Sequence, residues 1–204
     1  MGGLPGVSRA VMCYICSMRI YLAGPEVFLP DAGALADAKR AVCARHGATG
    51  IFPTDPVHCP EADACPEAWL AIYLRNEAHI RGADALVANL TPFRGPSADA
   101  GTVYELGFMR ALGRPVAAYA NTAVPFTERT RAFLGEEARP RPEGGWEDAE
   151  GLHLEAFGLH DNLMIDGGLR AAGGPLVTRE VAPAERWRDL GAFEAALRAL
   201  MESA

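Results

Sequence analysis

The chain alternates short apolar runs with longer stretches in which apolar residues recur at helical spacing. Nearly continuous apolar runs are typical of strands that are buried on both faces of a parallel sheet. The runs predict strands at residues 19–24, 50–53, 84–90 and 114–120. The helical spacing predicts helices at residues 31–46, at 67–81, from Thr102 onward and at 189–202. Residues 121–175 are richer in Gly, Pro and charge, and we expect long loops with short helical pieces there.

This alternation of strands and helices predicts an α/β fold over residues 18–204, with a doubly wound, mostly parallel sheet flanked by helices. The expected architecture is a single domain of the flavodoxin-like or Rossmann-like kind. In such folds the ligand binds beyond the carboxyl ends of the strands. Three loops follow predicted strands at that edge: AGPEVF at 23–28, PTDP at 53–56 and TPFRGPSADAGT at 91–102. We expect the functional site in these loops.

Composition and charge narrow the class of ligand. With 204 residues, of which 50% are hydrophobic and 22% charged, the chain is long enough for one domain with a sizeable core. The formal net charge of −7 argues against a nucleic acid polymer or an anionic membrane surface as partner. No run approaches the ~18 to 20 uninterrupted apolar residues that a membrane span requires. A small-molecule ligand fits this chain better.

The strong patterning begins at Met18, and we interpret residues 1–17 as a disordered or appended lead. The chain has five cysteines, and Cys13 and Cys16 form a C-x-x-C pair within that lead. A structural zinc site needs a second pair at metal spacing, but five residues separate Cys59 from Cys65. We therefore expect reduced thiols, a cytoplasmic location and no bound metal.

Three well-known cofactor and nucleophile motifs are missing from the sequence. The loop at 23–28 lacks the G-x-G-x-x-G spacing of a dinucleotide site, and the chain has no G-x-x-x-x-G-K-[ST] phosphate loop. A G-x-S-x-G nucleophile elbow is also missing. The chemistry must then come from carboxylates and from one aromatic-bearing loop, and we expect no organic cofactor.

Glu105 is the most informative carboxylate, and it has two interpretations. Thr102 and Glu105 form the T-x-x-E pattern of a capping box, in which both side chains satisfy free amides at a helix start. Alternatively, the partial positive charge of the helix N-terminus keeps Glu105 ionised and makes it a nucleophile toward a sugar anomeric carbon. Asp99 is the nearest second carboxylate, although it could also be a turn residue.

Four other residues at the same edge have a structural and a functional interpretation each. Tyr21 could position Glu105, and Phe28 could stack on a planar base, but both could be ordinary core or rim aromatics. Asp55 could contact substrate or only form its loop. Arg94 is the one cation in these loops. It could contact substrate or form a salt bridge within its loop.

Three segments together resemble the nucleoside 2-deoxyribosyltransferases: IYLAGPEVFLPD from Ile20, ADALVANLTPFRGPSADAGTVYELGF from Ala83, and FGLHDNLM from Phe157. The resemblance implies an enzyme that transfers 2'-deoxyribose between a 2'-deoxynucleoside and a free nucleobase through a covalent deoxyribosyl-glutamate. It makes Glu105 the nucleophile, Tyr21 its positioning partner and Asp99 a sugar or base contact. Gly24, Phe28, Asp55, Asn76 and Arg94 are the further candidate substrate residues.

The resemblance also implies a homo-oligomer. In the family, a residue that matches Asn162 binds the hydroxyl of the sugar that lies in the active site of a neighbouring subunit. One position departs from the pattern. Some members have an aspartate at the position of Asn76, where it is proposed to protonate the departing base, and an amide cannot act as an acid. Asp99, Asp55 and solvent are the remaining proton donors.

Two other functions stay open at this point. The first is hydrolysis of the N-glycosidic bond of nucleosides or nucleoside 5'-monophosphates, for which Arg94, Thr91 and Ser97 are the available phosphate ligands. The second is a nucleotide-binding module without catalysis.

Overall fold

A computed structural model describes residues 17–203. Its main sheet contains β1 (Met18–Ala23), β2 (Ala48–Ile51), β3 (Ala85–Asn89), β4 (Val116–Ala120) and β7 (Leu176–Thr178). The helices of the described residues are α1 (Ala32–Arg45), α2 (Pro60–Asp63), α3 (Ala68–Gly82), α4 (Ala100–Ala111), α5 (Phe126–Leu134), α6 (Leu163–Ala171) and α7 (Gly191–Ser203). Two short strands, β5 (Arg139–Pro140) and β6 (Trp146–Glu147), form a separate antiparallel pair.

The strand order of the main sheet is β2-β1-β3-β4-β7, and every pair is parallel. This confirms the predicted doubly wound fold. β2 lies on one side of β1 in the sheet, and β3 lies on the other side. The direction in which successive strands are added therefore reverses between β1 and β3. Ligand crevices of open α/β sheets lie at such a reversal, outside the carboxyl ends of the strands.

Helices cover both faces of the sheet, which explains why the strands are apolar throughout. On one face, Phe193, Leu197 and Leu200 of α7 pack with Val42 and Cys43 of α1 against the sheet. On the other face the core is formed by side chains of α3, α4 and α6, with α4 in the middle, because both α3 and α6 pack against it. All five residues of β3 and of β4 are buried.

The predicted elements are present with shifted ends, and three features of the structure were not predicted. The fifth strand, β7, is only three residues long and half-buried, too short to produce a periodic pattern. The small β5–β6 pair lies in the region predicted as loops, and α2 lies in the Pro-rich loop after β2. The helix expected to open at Thr102 begins two residues earlier, at Ala100.

The predicted lead at residues 1–17, with Cys13 and Cys16, lies outside the described residues except for Ser17, whose hydroxyl donates to the carbonyl of Gly47. Within residues 17–203, Cys43, Cys59 and Cys65 are free thiols, and no group of three or more potential metal ligands is found. No helix in this part of the chain is long and apolar enough to cross a bilayer.

Candidate active site

Glu105 lies where β1, α3 and α4 meet. Its Oε1 accepts a hydrogen bond from the Tyr21 hydroxyl at 2.7 Å and one from the Asn76 side-chain amide at 3.3 Å. Tyr21 is fully buried in β1, and its ring stacks against His79 of α3 with centroids 6.2 Å apart. No donor within residues 17–203 is found for Oε2 of Glu105. One carboxylate oxygen is therefore held in place by two donors, while the other has no donor in this part of the chain.

Asp99 is the N-cap of α4. Its Oδ2 accepts hydrogen bonds from the Thr102 amide at 2.8 Å and from the Thr102 hydroxyl at 3.0 Å. The capping-box interpretation of Thr102 and Glu105 is therefore wrong, since Thr102 donates to the cap and does not serve as one. A capping carboxylate replaces the box, and this leaves Glu105 in the second turn of the helix, free of a capping role.

The pKa of Glu105 is raised to about 7, chiefly by burial and to a smaller extent by the nearby charge of Asp99, while the hydrogen bonds from Tyr21 and Asn76 act in the opposite direction. The prediction that the helix N-terminus keeps this carboxylate ionised stays a prediction, and burial acts against it. Burial likewise raises the pKa of Tyr21, and Glu105 adds to the effect, so Tyr21 stays a protonated donor.

These shifts predict how the rate depends on pH. If Glu105 attacks as a carboxylate, kcat/KM rises with pH through about 7, because the free enzyme must lose the Glu105 proton before it reacts. Replacing Asp99 with Asn removes the like charge and should move this acid limb to lower pH. Initial rates between pH 5 and 8.5 measure both midpoints, and a profile flat across that range would contradict the assignment.

A fully buried ionic network is centred on Glu26, in the loop that follows β1. Oε1 of Glu26 pairs with Lys39 of α1 and accepts hydrogen bonds from Asn89 at 2.7 Å and Tyr119 at 2.8 Å. The pKa of Glu26 is held below its usual value by these partners, chiefly Lys39, against the opposing effect of burial. The network ties α1 and the ends of β3 and β4 to the candidate site.

Gly24 is required by this network. A Cβ built on Gly24 would lie 1.9 Å from Oε2 of Glu26, so any larger residue would have to displace a carboxylate that is buried and held by three partners. The glycine therefore has a packing role, and its predicted substrate contact stays a prediction.

The loop aromatics form a cluster at the rim of the sheet edge. The ring of Phe28 stacks on Phe93, with centroids 5.5 Å apart and planes at 12°, and Trp187 meets Phe93 edge-on at 6.2 Å. The Arg94 guanidinium lies over both phenylalanine rings, at 5.3 and 4.6 Å from their centroids. No ion pair is found for Arg94 within residues 17–203, so its salt-bridged interpretation is wrong there. Phe28 remains 59% exposed and can offer a ring face to a base.

Asp55 is engaged within its own loop. Its carboxylate pairs with Arg40 and accepts a hydrogen bond from the Phe52 amide at 2.9 Å, while its carbonyl oxygen is 3.0 Å from the His79 ring. These contacts support the loop-forming interpretation. Its predicted contact with substrate stays a prediction.

Asn162 is the N-cap of α6, and its side chain bonds to Glu155 and to the Met164 amide. No hydrogen bond joins Asn162 to Glu105 or Asn76 within residues 17–203, although the adjacent Asp161 bonds to Ser97 and Ala98 just before α4. The structure brings Tyr21 and Asn76 to Glu105 within the chain, with Asp99 at the start of the same helix.

Sequence reasoning missed two groups of residues around the site. Lys39 is fully buried, and the available signal was a lysine in the apolar stripe that Leu35, Ala36, Val42 and Cys43 form on α1. Asp161, next to the predicted Asn162, is fully buried and holds the loop before α4. An acidic residue between two polar neighbours gives no comparable signal.

Comparison with known proteins identifies the family of this chain. The model of the nucleoside 2-deoxyribosyltransferase family matches residues 20–164, and the chain belongs to this family. It is 33% identical over 165 residues to an uncharacterized protein of Schizosaccharomyces pombe, covering 76% of this chain and 78% of that protein. Among solved structures, the 2-desoxiribosyltransferase from Leishmania mexicana is similar with a TM-score of 0.53 and 32% identity, over 72% of this chain and 85% of that one.

Proposed function

We propose that this protein transfers a 2'-deoxyribosyl group between nucleobases through a covalent deoxyribosyl intermediate on Glu105. The observation that carries the proposal is the asymmetry of the Glu105 carboxylate, whose Oε1 is held by Tyr21 and Asn76 while Oε2 is left for attack. Family membership supports the reaction class. No metal or organic cofactor is part of the proposal.

In the proposed first step, Oε2 of Glu105 forms a bond to C1' of the sugar as the N-glycosidic bond breaks. The bonding electron pair leaves with the base, which takes up a proton. In the second step a nitrogen of the acceptor base attacks C1' and loses its proton to the group that protonated the departing base, while the bond from C1' to Oε2 breaks and releases the glutamate as a carboxylate. Asn76 donates its amide to Glu105 and supplies no proton to the leaving group. Solvent remains for that role, since Asp55 is paired with Arg40 and the charged Asp99 accepts both hydrogen bonds from Thr102.

The hydrolysis of nucleoside 5'-monophosphates has less support from the geometry. Of its predicted phosphate ligands, Ser97 donates its hydroxyl to Asp161, and the hydroxyl of the buried Thr91 accepts from the Asn121 amide. Arg94 rests on two aromatic rings. A neutral 2'-deoxynucleoside and a free nucleobase are therefore the proposed substrates.

Incubation of the protein with a 2'-deoxynucleoside, with and without a different free base, tests the function. The expected product with the second base is a new deoxynucleoside. Free deoxyribose as the only sugar product would instead establish hydrolysis, and tight binding with no base release would establish a binding module.

A preference for 2'-deoxyribose over ribose is part of the proposed function and is suggested by membership of the family. We expect deoxyinosine to react more than about tenfold faster than inosine, a difference of about 1.4 kcal/mol in activation free energy. The reason is that a 2'-hydroxyl would crowd Glu105 or hydrogen-bond to it. Rates of base release from the two nucleosides at equal concentration measure this ratio, and comparable rates would disprove it.

We also propose a homo-oligomer in which Asn162 completes the site of a neighbouring subunit. Asn162 is not in contact with Glu105 of its own chain, and the side chains of Phe157 and Met164 beside it are 68% and 75% exposed. Closed symmetric assemblies are the commonest form of soluble oligomers.

A mixture of Glu105→Ala and Asn162→Ala chains, each inactive alone, is then expected to regain part of the activity. Some mixed sites would combine an intact glutamate with an intact asparagine. Rates before and after subunit exchange measure the rescue. A fully active monomer, or no rescue after demonstrated exchange, would refute the shared site.

A further inference from the structure

The loop that leads into α4 is held by a carboxylate from a distant part of the chain. Asp161 is fully buried, and its Oδ1 accepts a hydrogen bond from the Ser97 hydroxyl at 2.5 Å. Its Oδ2 accepts one from the Ala98 amide at 2.9 Å. Ser97 and Ala98 immediately precede Asp99, the N-cap of the helix that carries Glu105.

Asp161 is itself held by its surroundings. Its backbone amide donates to Asp166 at 2.9 Å, and the Arg129 guanidinium lies 3.5 Å from its Oδ2. Arg129 also donates to the carbonyl oxygen of Pro96 at 2.8 Å and to that of His160. The carboxylate is thus a rigid point to which the turn before α4 is attached through a side chain and a backbone amide.

We propose that Asp161 is a positioning residue for the reaction, which holds the Ser97–Ala98 turn and through it the start of α4 and the carboxylate of Glu105. The inference rests on the proposed function of Glu105. Displacement of a reacting group by about 1 Å can lower the rate by roughly 10²-fold, so a support that touches no substrate can still control turnover. Asp161 also accepts the Asn162 amide at 2.8 Å, so the same carboxylate orients the residue proposed to serve the neighbouring site.

Asp161→Asn is the test variant, because the new amide keeps the size of the side chain but places a donor against the Ala98 amide or the Ser97 hydroxyl. Glu180→Gln is its matched control. Glu180 also accepts one hydroxyl and one backbone amide, from Thr122 at 2.9 Å and Ala123 at 2.8 Å, but in the loop after β4.

Two measurements decide the proposal: the kinetics of base exchange and the hydrogen exchange of the Thr102 amide. For Asp161→Asn we expect kcat to fall more than about tenfold with KM nearly unchanged, as for an interaction that acts only in the transition state. The Thr102 amide should exchange faster, because its Asp99 cap is no longer held. For Glu180→Gln both quantities should stay within about twofold of the parent protein.

A folded Asp161→Asn variant with parental kcat, or with the Thr102 amide as protected as in Glu180→Gln, would overturn the proposal. If Asp161→Asn does not fold, Ser97→Ala removes one of the two contacts and should give the same changes at smaller size, and parental values in that variant would also overturn it. If the parent protein does not exchange bases, the proposed function fails, while the protection of Thr102 still decides whether Asp161 holds the helix start.

Discussion

Replacing Glu105 with Gln is expected to lower kcat for base exchange by roughly 10³-fold or more, because the amide cannot form the glycosyl ester. Stability should change little. The Gln side chain can still accept from Tyr21, and the variant loses a carboxylate whose pKa burial has raised to about 7. Initial rates and the thermal unfolding midpoint measure the two effects separately.

Glu77→Gln is the matched control for this result. Glu77 also accepts hydrogen bonds from tyrosine hydroxyls, those of Tyr73 and of Tyr104 at 2.8 Å, but at the exposed side of the same pair of helices. The Glu77→Gln variant should have the same kcat as the parent protein. Retention of most activity in Glu105→Gln would show that the nucleophile lies elsewhere.

Replacing Lys39 with Met is expected to give the largest loss of stability, about 3 to 5 kcal/mol, because it leaves the buried charge of Glu26 without its cation. In the parent protein the pKa of Glu26 is lowered, so its contribution is present above the unfolded pKa and is lost as pH falls through the folded pKa. In Lys39→Met the largest effect opposing burial is removed, only the hydrogen bonds from Asn89 and Tyr119 remain, and protonation of Glu26 should then raise the stability of the variant. Urea unfolding at pH 3, 5 and 8 measures both trends: the parent protein should lose stability between pH 5 and pH 3, whereas the deficit of Lys39→Met should shrink as the pH falls.

The double variant Lys39→Met with Glu26→Gln provides the control. It removes the unpaired charge, and Asn89 and Tyr119 can still donate to the Gln oxygen. We expect it to be more stable than Lys39→Met alone. A double variant no more stable than the single one would show that lost packing around Lys39 causes the effect.

The fold could be predicted from the sequence because its signals are local. Strands such as β3 and β4 are apolar at nearly every position, and α7 has a clear apolar stripe. Element ends were less accurate, since a cap depends on hydrogen bonds that spacing does not reveal. Asp99 rather than Thr102 is the N-cap of α4, and only the hydrogen bonds seen in the structure distinguish the two candidates.

One contact of the candidate site was also expected from the sequence, although its signal is not local. The contact of Tyr21 with Glu105 joins residues 84 positions apart, and it was expected from the resemblance and the shared sheet edge. The ionic network of Glu26 and the support from Asp161 were not expected. Their energies depend on the burial of charged side chains, which a single sequence does not show at polar positions.

The most direct test of the central claim is intact-protein mass spectrometry after a rapid acid quench of the protein with a 2'-deoxynucleoside and no acceptor base. The account predicts a protein species heavier by one deoxyribosyl unit, with the added mass on the peptide that contains Glu105, and its disappearance when a free base is added. The Glu105→Gln variant should give no such species. Base exchange without any adduct, or an adduct on a different residue, would contradict the account.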